Sequence, residues 1–123
     1  MKVSPIFAAA LALFLVIPAA ADEEARLLRF PDIHEDTIAF SYAGDLWVVS
    51  DTGGIARRIT THPGLEMMPK FSPGGDSIAF TGQYDGNANV YVIPAQGGPQ
   101  EQLTWWPEAH PMPARFGPSN QVI

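Results

Sequence analysis

The segment Asp36-Thr37-Ile38-Ala39-Phe40 returns further along the chain as Asp76-Ser77-Ile78-Ala79-Phe80, and this duplication decides the fold. Three further matches follow at an offset of 44, namely Leu46–Val49 with Val90–Ile93, Gly53-Gly54 with Gly97-Gly98, and Ile59-Thr60 with Leu103-Thr104. The second copy is longer by four residues, which lie within Gln83–Asn89. A repeat of about 40 residues that consists of strands and turns is typical of β-propeller blades.

Each copy contains four short segments with strand character, separated by turn residues such as Ser72-Pro73-Gly74-Gly75. The predicted strands are Arg26–Phe30, Ile38–Tyr42, Leu46–Ser50 and Arg57–Thr60 in the first copy, and Met67–Phe71, Ile78–Thr81, Val90–Ile93 and Gln102–Thr104 in the second. The sequence therefore predicts an all-β chain with two four-stranded antiparallel blades of an incomplete propeller and no helix within residues 36–104. Blade one covers about residues 26–60, blade two about 67–104, and residues 105–123 begin the next segment.

The third predicted strand of each copy is apolar without alternation, which indicates that both of its faces are covered. Blades packed on two neighbours would provide such cover. We therefore expect Trp47, Val48, Tyr91 and Val92 to be the most buried side chains. The fourth strands are more polar, as is expected of outer edge strands that face water.

Residues 1–21 have the pattern of a secretory signal peptide. Lys2 supplies the positive charge, Ile6–Ile17 the apolar run, and Pro18-Ala19-Ala20-Ala21 the small residues before cleavage. A membrane anchor is the alternative, but this apolar run is shorter than the about 20 residues that a spanning helix needs. The leader predicts cleavage after Ala21, a mature region over residues 22–123, and a periplasmic or secreted protein.

Composition narrows the possible functions of the 123-residue chain. A hydrophobic fraction of 46% with 16% charged residues argues against a disordered chain. The net charge of −6 argues against nucleic acid as a partner, because phosphate binding needs clustered Lys and Arg. The absence of cysteine excludes disulfides, thiolate metal sites and a Cys nucleophile from this sequence.

The opening of the first copy, Arg29–Phe40 followed by Ala43–Trp47, resembles the segment that begins the N-terminal propeller of bacterial secreted tricorn-type serine peptidases. Phe71–Gly75, Gly97-Gly98 and Leu103-Thr104-Trp105 match a blade pattern that Tol-type periplasmic propellers share. The resemblance covers residues 26–123, with small departures at Glu35, where the family usually has Gly, and at Gly74, where it usually has Asp.

This resemblance implies that the chain is the non-catalytic N-terminal propeller portion of an exported tricorn-like serine peptidase. Such a propeller would filter or channel peptides to a downstream active site. The implied partners are the remaining blades and peptidase domains of the same polypeptide and peptide substrates, with a homo-oligomer possible. Two alternatives stay open, a Tol-type periplasmic protein-binding propeller without catalysis and the propeller of another hydrolase, because the fold alone does not separate them.

No residue of the chain is assigned as catalytic, cofactor-binding or metal-binding. The family's serine nucleophile and histidine base would lie downstream, and no serine here lies in a Gly-x-Ser-x-Gly elbow. His34, His62 and His110 are far apart in sequence and are interpreted as loop histidines, with zinc as the alternative. Asp85–Asn89 imitates the start of a calcium loop, but Val90 and Gln96 stand at the sixth and twelfth positions, so a hairpin loop is favoured.

Two pairs remain. Arg57-Arg58 is interpreted as a solvated outer edge. Trp105-Trp106 is expected to pack on the next blade, with stacking on a peptide as the alternative.

Overall fold

A computed structural model describes residues 28–107 and 114–123. The predicted signal peptide, residues 26 and 27 of the predicted opening strand, and His110 lie outside the described residues. The described chain forms two four-stranded antiparallel sheets without a helix, which confirms the predicted fold class. Each sheet has its strands in chain order, as a propeller blade does.

The strands of blade one are β1 (Arg29–His34), β2 (Thr37–Tyr42), β3 (Asp45–Ser50) and β4 (Arg57–Arg58). Those of blade two are β5 (Leu65–Phe71), β6 (Ser77–Tyr84), β7 (Asn87–Pro94) and β8 (Glu101–Gln102).

The first strand of each blade contains a β-bulge that is centred on a proline. The pairing of β1 with β2 shifts between Arg29 and Asp32, and that of β5 with β6 shifts between Met67 and Lys70. Pro31 and Pro69 lie inside these shifts, where a residue without an N–H does not interrupt the ladder. The predicted opening strand Arg26–Phe30 is therefore wrong in its bounds, because the strand continues through Pro31 to His34.

The four additional residues of the second copy lengthen one hairpin. Tyr42 pairs with Asp45 at the end of the β2–β3 hairpin, and the matching pair in blade two is Gly82 with Asn89. Beyond it, the β6–β7 hairpin has two more pairs, Gln83 with Ala88 and Tyr84 with Asn87. The insertion thus places Tyr84 on an extension that blade one lacks.

The fourth strands are shorter than predicted. After each of them, a threonine hydroxyl instead of a backbone carbonyl accepts the hydrogen bond from the third strand. Ile59 N donates to Leu46 O, and Leu103 N donates to Val90 O, each over 2.8 Å. The amides of Leu46 and Val90 then donate to the hydroxyls of Thr60 and Thr104, each over 2.9 Å. In the repeated Ile-Thr and Leu-Thr pairs, the first residue therefore bonds to the third strand through its backbone, and the threonine caps that strand through its side chain.

The main core lies between the two blades. It consists of the buried side chains Ala39, Leu46, Val48 and Ile59 from blade one and Ile78, Phe80, Tyr84, Tyr91 and Ile93 from blade two. A second cluster covers the other face of blade two, where Ala79 and Val90 pack with Ala114, Phe116 and Val122. Residues 114–123 thus begin to cover this face.

The four side chains predicted to be most buried differ in exposure in the described structure, and because only two blades are described, their burial between neighbours on both faces stays a prediction. Val48 and Tyr91 are buried, but Trp47 and Val92 are only partly buried, and the largest fully buried side chains include Phe80, Leu46 and Ile78. Neighbouring residues of a strand point to opposite faces, so Trp47 lies on the face of blade one that points away from blade two.

Among the described residues, no helix has the length and apolar character to cross a membrane.

Candidate functional site at the junction between the blades

A buried carboxyl group lies between the two blades, where Asp45, Thr60, Glu66 and Tyr84 meet, a region that we call the joint. Glu66 of β5 is only 1% exposed. Its Oε2 accepts a hydrogen bond from the Thr60 hydroxyl over 3.0 Å, and its Oε1 accepts one from the Tyr84 hydroxyl over 2.9 Å. Its backbone N–H donates to Gly44 O in the β2–β3 turn over 2.8 Å. Both blades therefore hold this residue.

Burial is the largest influence on the proton affinity of this carboxyl group. Burial and, to a smaller extent, the nearby carboxyl of Asp45 raise the pKa of Glu66, the hydrogen bonds from Tyr84 and Thr60 oppose the rise, and the net pKa is about 7 instead of 4.5. Asp45 is held in turn by Arg58, with Nη1 at 3.3 Å from Oδ2. Two carboxyl groups thus lie together in a joint that excludes most water.

Tyr84 links the Glu66 carboxyl group to Gln100 and His62. Burial raises the pKa of its hydroxyl well above 10, so the group stays protonated and donates to Glu66. Gln100 Nε2 donates to the same hydroxyl over 3.1 Å, and the His62 ring lies on the Tyr84 ring with centroids 3.7 Å apart. Gly64 permits this approach, because a Cβ there would lie 2.4 Å from Tyr84 Cδ1.

A second set of contacts joins the blades at the opposite ends of the strands. There His34 lies 3.1 Å from Pro73 O through Nε2 and packs its ring on Phe71. Arg57 Nη1 donates to Gln96 O over 2.6 Å. These contacts border a cleft of about 500 Å³, which is also lined by Val48, Gly75, Asp76 and Pro94. The cleft is a groove between the blades that is lined by both polar and apolar residues.

The opening strands are linked by an acidic side chain. Asp32 Oδ2 in β1 accepts a hydrogen bond from Phe71 N in β5 over 2.7 Å, and its Oδ1 lies 3.8 Å from Lys70 Nζ. Since Asp32 follows the bulge in β1 and Lys70 follows the bulge in β5, the bulges direct both groups toward the neighbouring blade.

The histidines are not brought together. His34 ends β1 instead of lying in a loop as predicted, whereas His62 is in a loop and its Nδ1 accepts from Gly64 N over 2.9 Å. No group of three potential metal-ligating side chains occurs in residues 28–107 and 114–123.

The acidic hairpin segment is only partly a loop. Asp85-Gly86 forms the turn, but residues 87–89 belong to β7. The side-chain oxygen of Asn89 accepts from the Thr104 hydroxyl over 2.9 Å and from Trp106 N over 2.7 Å. Asn89 therefore has a structural role at the end of blade two.

The remaining predicted pairs lie at the surface. Arg57 and Arg58 are exposed in the edge strand β4, as predicted. Trp105 and Trp106 are 74% and 42% exposed in the described structure, and their packing on the next blade stays a prediction.

The Glu66 cluster is not among the sites that the sequence predicts. A signal is present in the repeat, because Asp45 and Asn89 occupy equivalent positions and differ in charge. Glu66 itself lies outside the predicted strand Met67–Phe71, which is wrong in its first bound because β5 begins at Leu65, so the position of Glu66 in the joint is not recognisable from the sequence.

The comparisons with known proteins agree with this architecture. The family model of the tricorn protease N-terminal beta propeller domain matches residues 25–123. Tricorn protease homolog 1 of Streptomyces coelicolor is 38% identical over 79 residues, which cover 64% of this chain and 7% of that protein. The Tol-Pal system protein TolB of Bordetella pertussis is 41% identical over 54 residues, which cover 43% of this chain and 12% of that protein.

Among solved structures, the crystal structure of the tricorn protease matches with a TM-score of 0.68 and 27% identity, over 78% of this chain and 10% of that chain. The chain therefore spans a small part of the length of these relatives. Its two bulged blades and the family match over residues 25–123 lead to one conclusion: the chain belongs to the family of tricorn protease N-terminal β-propeller domains.

Proposed function

We propose that the chain is the non-catalytic N-terminal propeller portion of an exported tricorn-like serine peptidase, and that it filters or channels peptides to an active site elsewhere in the polypeptide. The family match over residues 25–123 is the observation that carries this proposal. Export is supported by the leader pattern of residues 1–21, which is typical of a signal peptide.

The arrangement of the strands supports a channelling role. The first strands of the two blades, β1 and β5, contact each other, whereas no contact joins the described fourth strands, β4 and β8. The blades therefore converge at their first strands, where a propeller has its central channel. Phe30, which is 43% exposed in the bulge of β1, borders a notch of about 300 Å³ together with Leu65 and Met67. A passing peptide would meet this apolar notch.

A matched pair of substitutions tests the channel in the full-length protein. Phe30→Asn changes an exposed apolar residue on the first strand, and its φ of 53° suits asparagine. Ile55→Asn changes a residue that is 97% exposed on the β3–β4 connection, far from that strand. We expect Phe30→Asn to raise KM for long apolar peptides with little effect on dipeptide-sized substrates, and Ile55→Asn to leave both unchanged.

Two results would count against the proposal. A full-length protein that hydrolyses no peptide and does not react with a serine-directed inhibitor is not a peptidase. Equal kinetics of Phe30→Asn, Ile55→Asn and the parent protein on long peptides would remove the channelling role. Export is checked separately, since the mature protein isolated from cells should begin at Asp22.

A protein-binding propeller without catalysis is the second candidate, supported by the 41% identity with TolB over 54 residues. It would be favoured if the full-length protein lacks hydrolytic activity and co-purifies with envelope proteins from its own cells.

A further inference from the structure

In each blade a threonine hydroxyl caps the third strand and donates a hydrogen bond, but the acceptor differs between the blades. In blade two, the Thr104 hydroxyl donates to the neutral Asn89 side chain over 2.9 Å. Asp45 has the equivalent position in blade one, but the Thr60 hydroxyl donates to Glu66 instead, over 3.0 Å. Blade two therefore uses the amide of Asn89, whereas the joint contains the carboxyl groups of Asp45 and Glu66.

Few groups are available to compensate two negative charges in this joint. Arg58 of β4 pairs with Asp45 at 3.3 Å, but its side chain is 49% exposed. Arg29 of β1 borders the same notch as Glu66 and is itself exposed. From β6, Tyr84 offers only a neutral hydroxyl, and its ring contacts Tyr91 of β7 edge-on and the tilted ring of His62. Since Glu66 is 1% exposed, an ionised carboxylate there has lost nearly all of its water.

We propose that Glu66 and Asp45 form a proton-binding site in the joint, which holds one proton between the two carboxyl groups when the blades are packed and weakens the joint when that proton leaves. In the protonated state, the O–H of Glu66 donates to the carboxylate of Asp45. Release of the proton to solvent leaves two carboxylates side by side, and no bond other than this O–H is broken. The inference depends on the geometry of the joint and not on the peptidase function.

The direction of the pH effect follows from the pKa of Glu66, which rises from 4.5 to about 7 on folding. A raised pKa stabilises the folded joint fully below about pH 4.5, and this stabilisation is lost as pH rises through about 7. Between pH 5.5 and 8.5, the equilibrium constant for closing the joint should fall about 30-fold. Low pH tightens the joint and high pH loosens it.

Hydrogen exchange of the full-length protein tests this at single amides. The Leu46 amide, which donates to Thr60 beside Glu66, should lose about 30-fold of its protection between pH 5.5 and 8.5 after correction for the intrinsic exchange rate. The Val90 amide, which donates to Thr104 in the neutral blade-two corner, is the internal control and should show no such loss. In Glu66→Gln the amide imitates the protonated carboxyl group, so the Leu46 profile should become flat.

Further variants separate the proposal from its competitors. Asp45→Asn removes the second carboxyl group and should shift the loss of protection to lower pH. Histidine ordinarily changes charge near neutral pH, so His62 is the competing explanation for a pH-dependent loss of protection. If Glu66 is responsible, His62→Asn should leave the profile unchanged. A profile that persists in Glu66→Gln, that disappears in His62→Asn, or that is flat in the parent protein would overturn the proposal.

A measurement without substitution covers the case in which Glu66→Gln does not fold. Infrared spectra of the parent protein should show a carboxylic C=O band that disappears between pH 6 and 8. Its absence would also overturn the proposal.

Discussion

The Thr60 hydroxyl makes two hydrogen bonds in the joint, so a substitution that removes only this group should weaken the joint considerably. Thr60→Val keeps the shape of the side chain but removes the group that accepts from Leu46 N over 2.9 Å and donates to Glu66 over 3.0 Å. Leu46 is fully buried, so its N–H would be left without a partner, at a cost of about 1–3 kcal/mol. The lost donor to Glu66 adds about 1 kcal/mol.

Together these effects give about 2–4 kcal/mol, or roughly a 30- to 1,000-fold larger equilibrium constant for opening the joint. Hydrogen exchange of the Leu46 amide in the full-length protein measures this directly. Thr104→Val is the matched control in blade two, where Asn89 keeps its hydrogen bond from Trp106 N, so exchange should accelerate at Val90 and not at Leu46. If Thr60→Val leaves Leu46 exchange within about threefold of the parent, the hydroxyl does not stabilise the joint and the reasoning fails.

Two further substitutions test the turns. Gly75→Ala should destabilise the protein by about 2–3 kcal/mol in thermal unfolding, because φ is +78° and the new Cβ would lie 2.4 Å from His34 Nδ1, which displaces the ring from Pro73 O. In a His34→Ala background the added cost of Gly75→Ala should fall to about 1–2 kcal/mol, and an unchanged cost would contradict the predicted clash. Ala43→Asn should instead stabilise by about 0.5–1 kcal/mol, since Ala43-Gly44 has φ values of 51° and 85°, nearly those of the Asp85-Gly86 turn at 52° and 81°, and asparagine suits this conformation better than alanine. A lower melting temperature for this variant would refute the comparison of the two turns.

The hairpins can be predicted from the sequence because their information is local. The duplicated Asp-x-Ile-Ala-Phe segment marks the second strand of each blade, and the diglycines mark the turns that follow the third. The first strand is harder to place because Pro31 suggests a strand end, whereas a bulge accommodates it. Aligning Phe30-Pro31-Asp32-Ile33 with Met68-Pro69-Lys70-Phe71 locates this strand, since the two prolines occupy the same place in the two bulges.

The burial of the middle strands is less predictable, since it depends on which faces have neighbours. An apolar strand without alternation indicates potential contacts on both faces, but not which contacts are made within residues 28–107 and 114–123. Trp47 illustrates the difference, because its Nε1 donates to Tyr42 O over 3.2 Å within blade one while its neighbour Val48 belongs to the core between the blades.

The joint itself shows how a duplicated unit acquires a property that neither copy has alone. The Thr hydroxyl that caps the third strand needs an acceptor in each blade, and Asn89 provides one in blade two without introducing charge. In blade one the acceptor comes from Glu66 on the next blade, and the four-residue insertion brings the Tyr84 hydroxyl to the same carboxyl group. An internal cap is thereby converted into a contact between blades. Because its acceptor is an acid buried beside Asp45, the strength of that contact depends on pH, whereas the corresponding cap in blade two has no group that titrates.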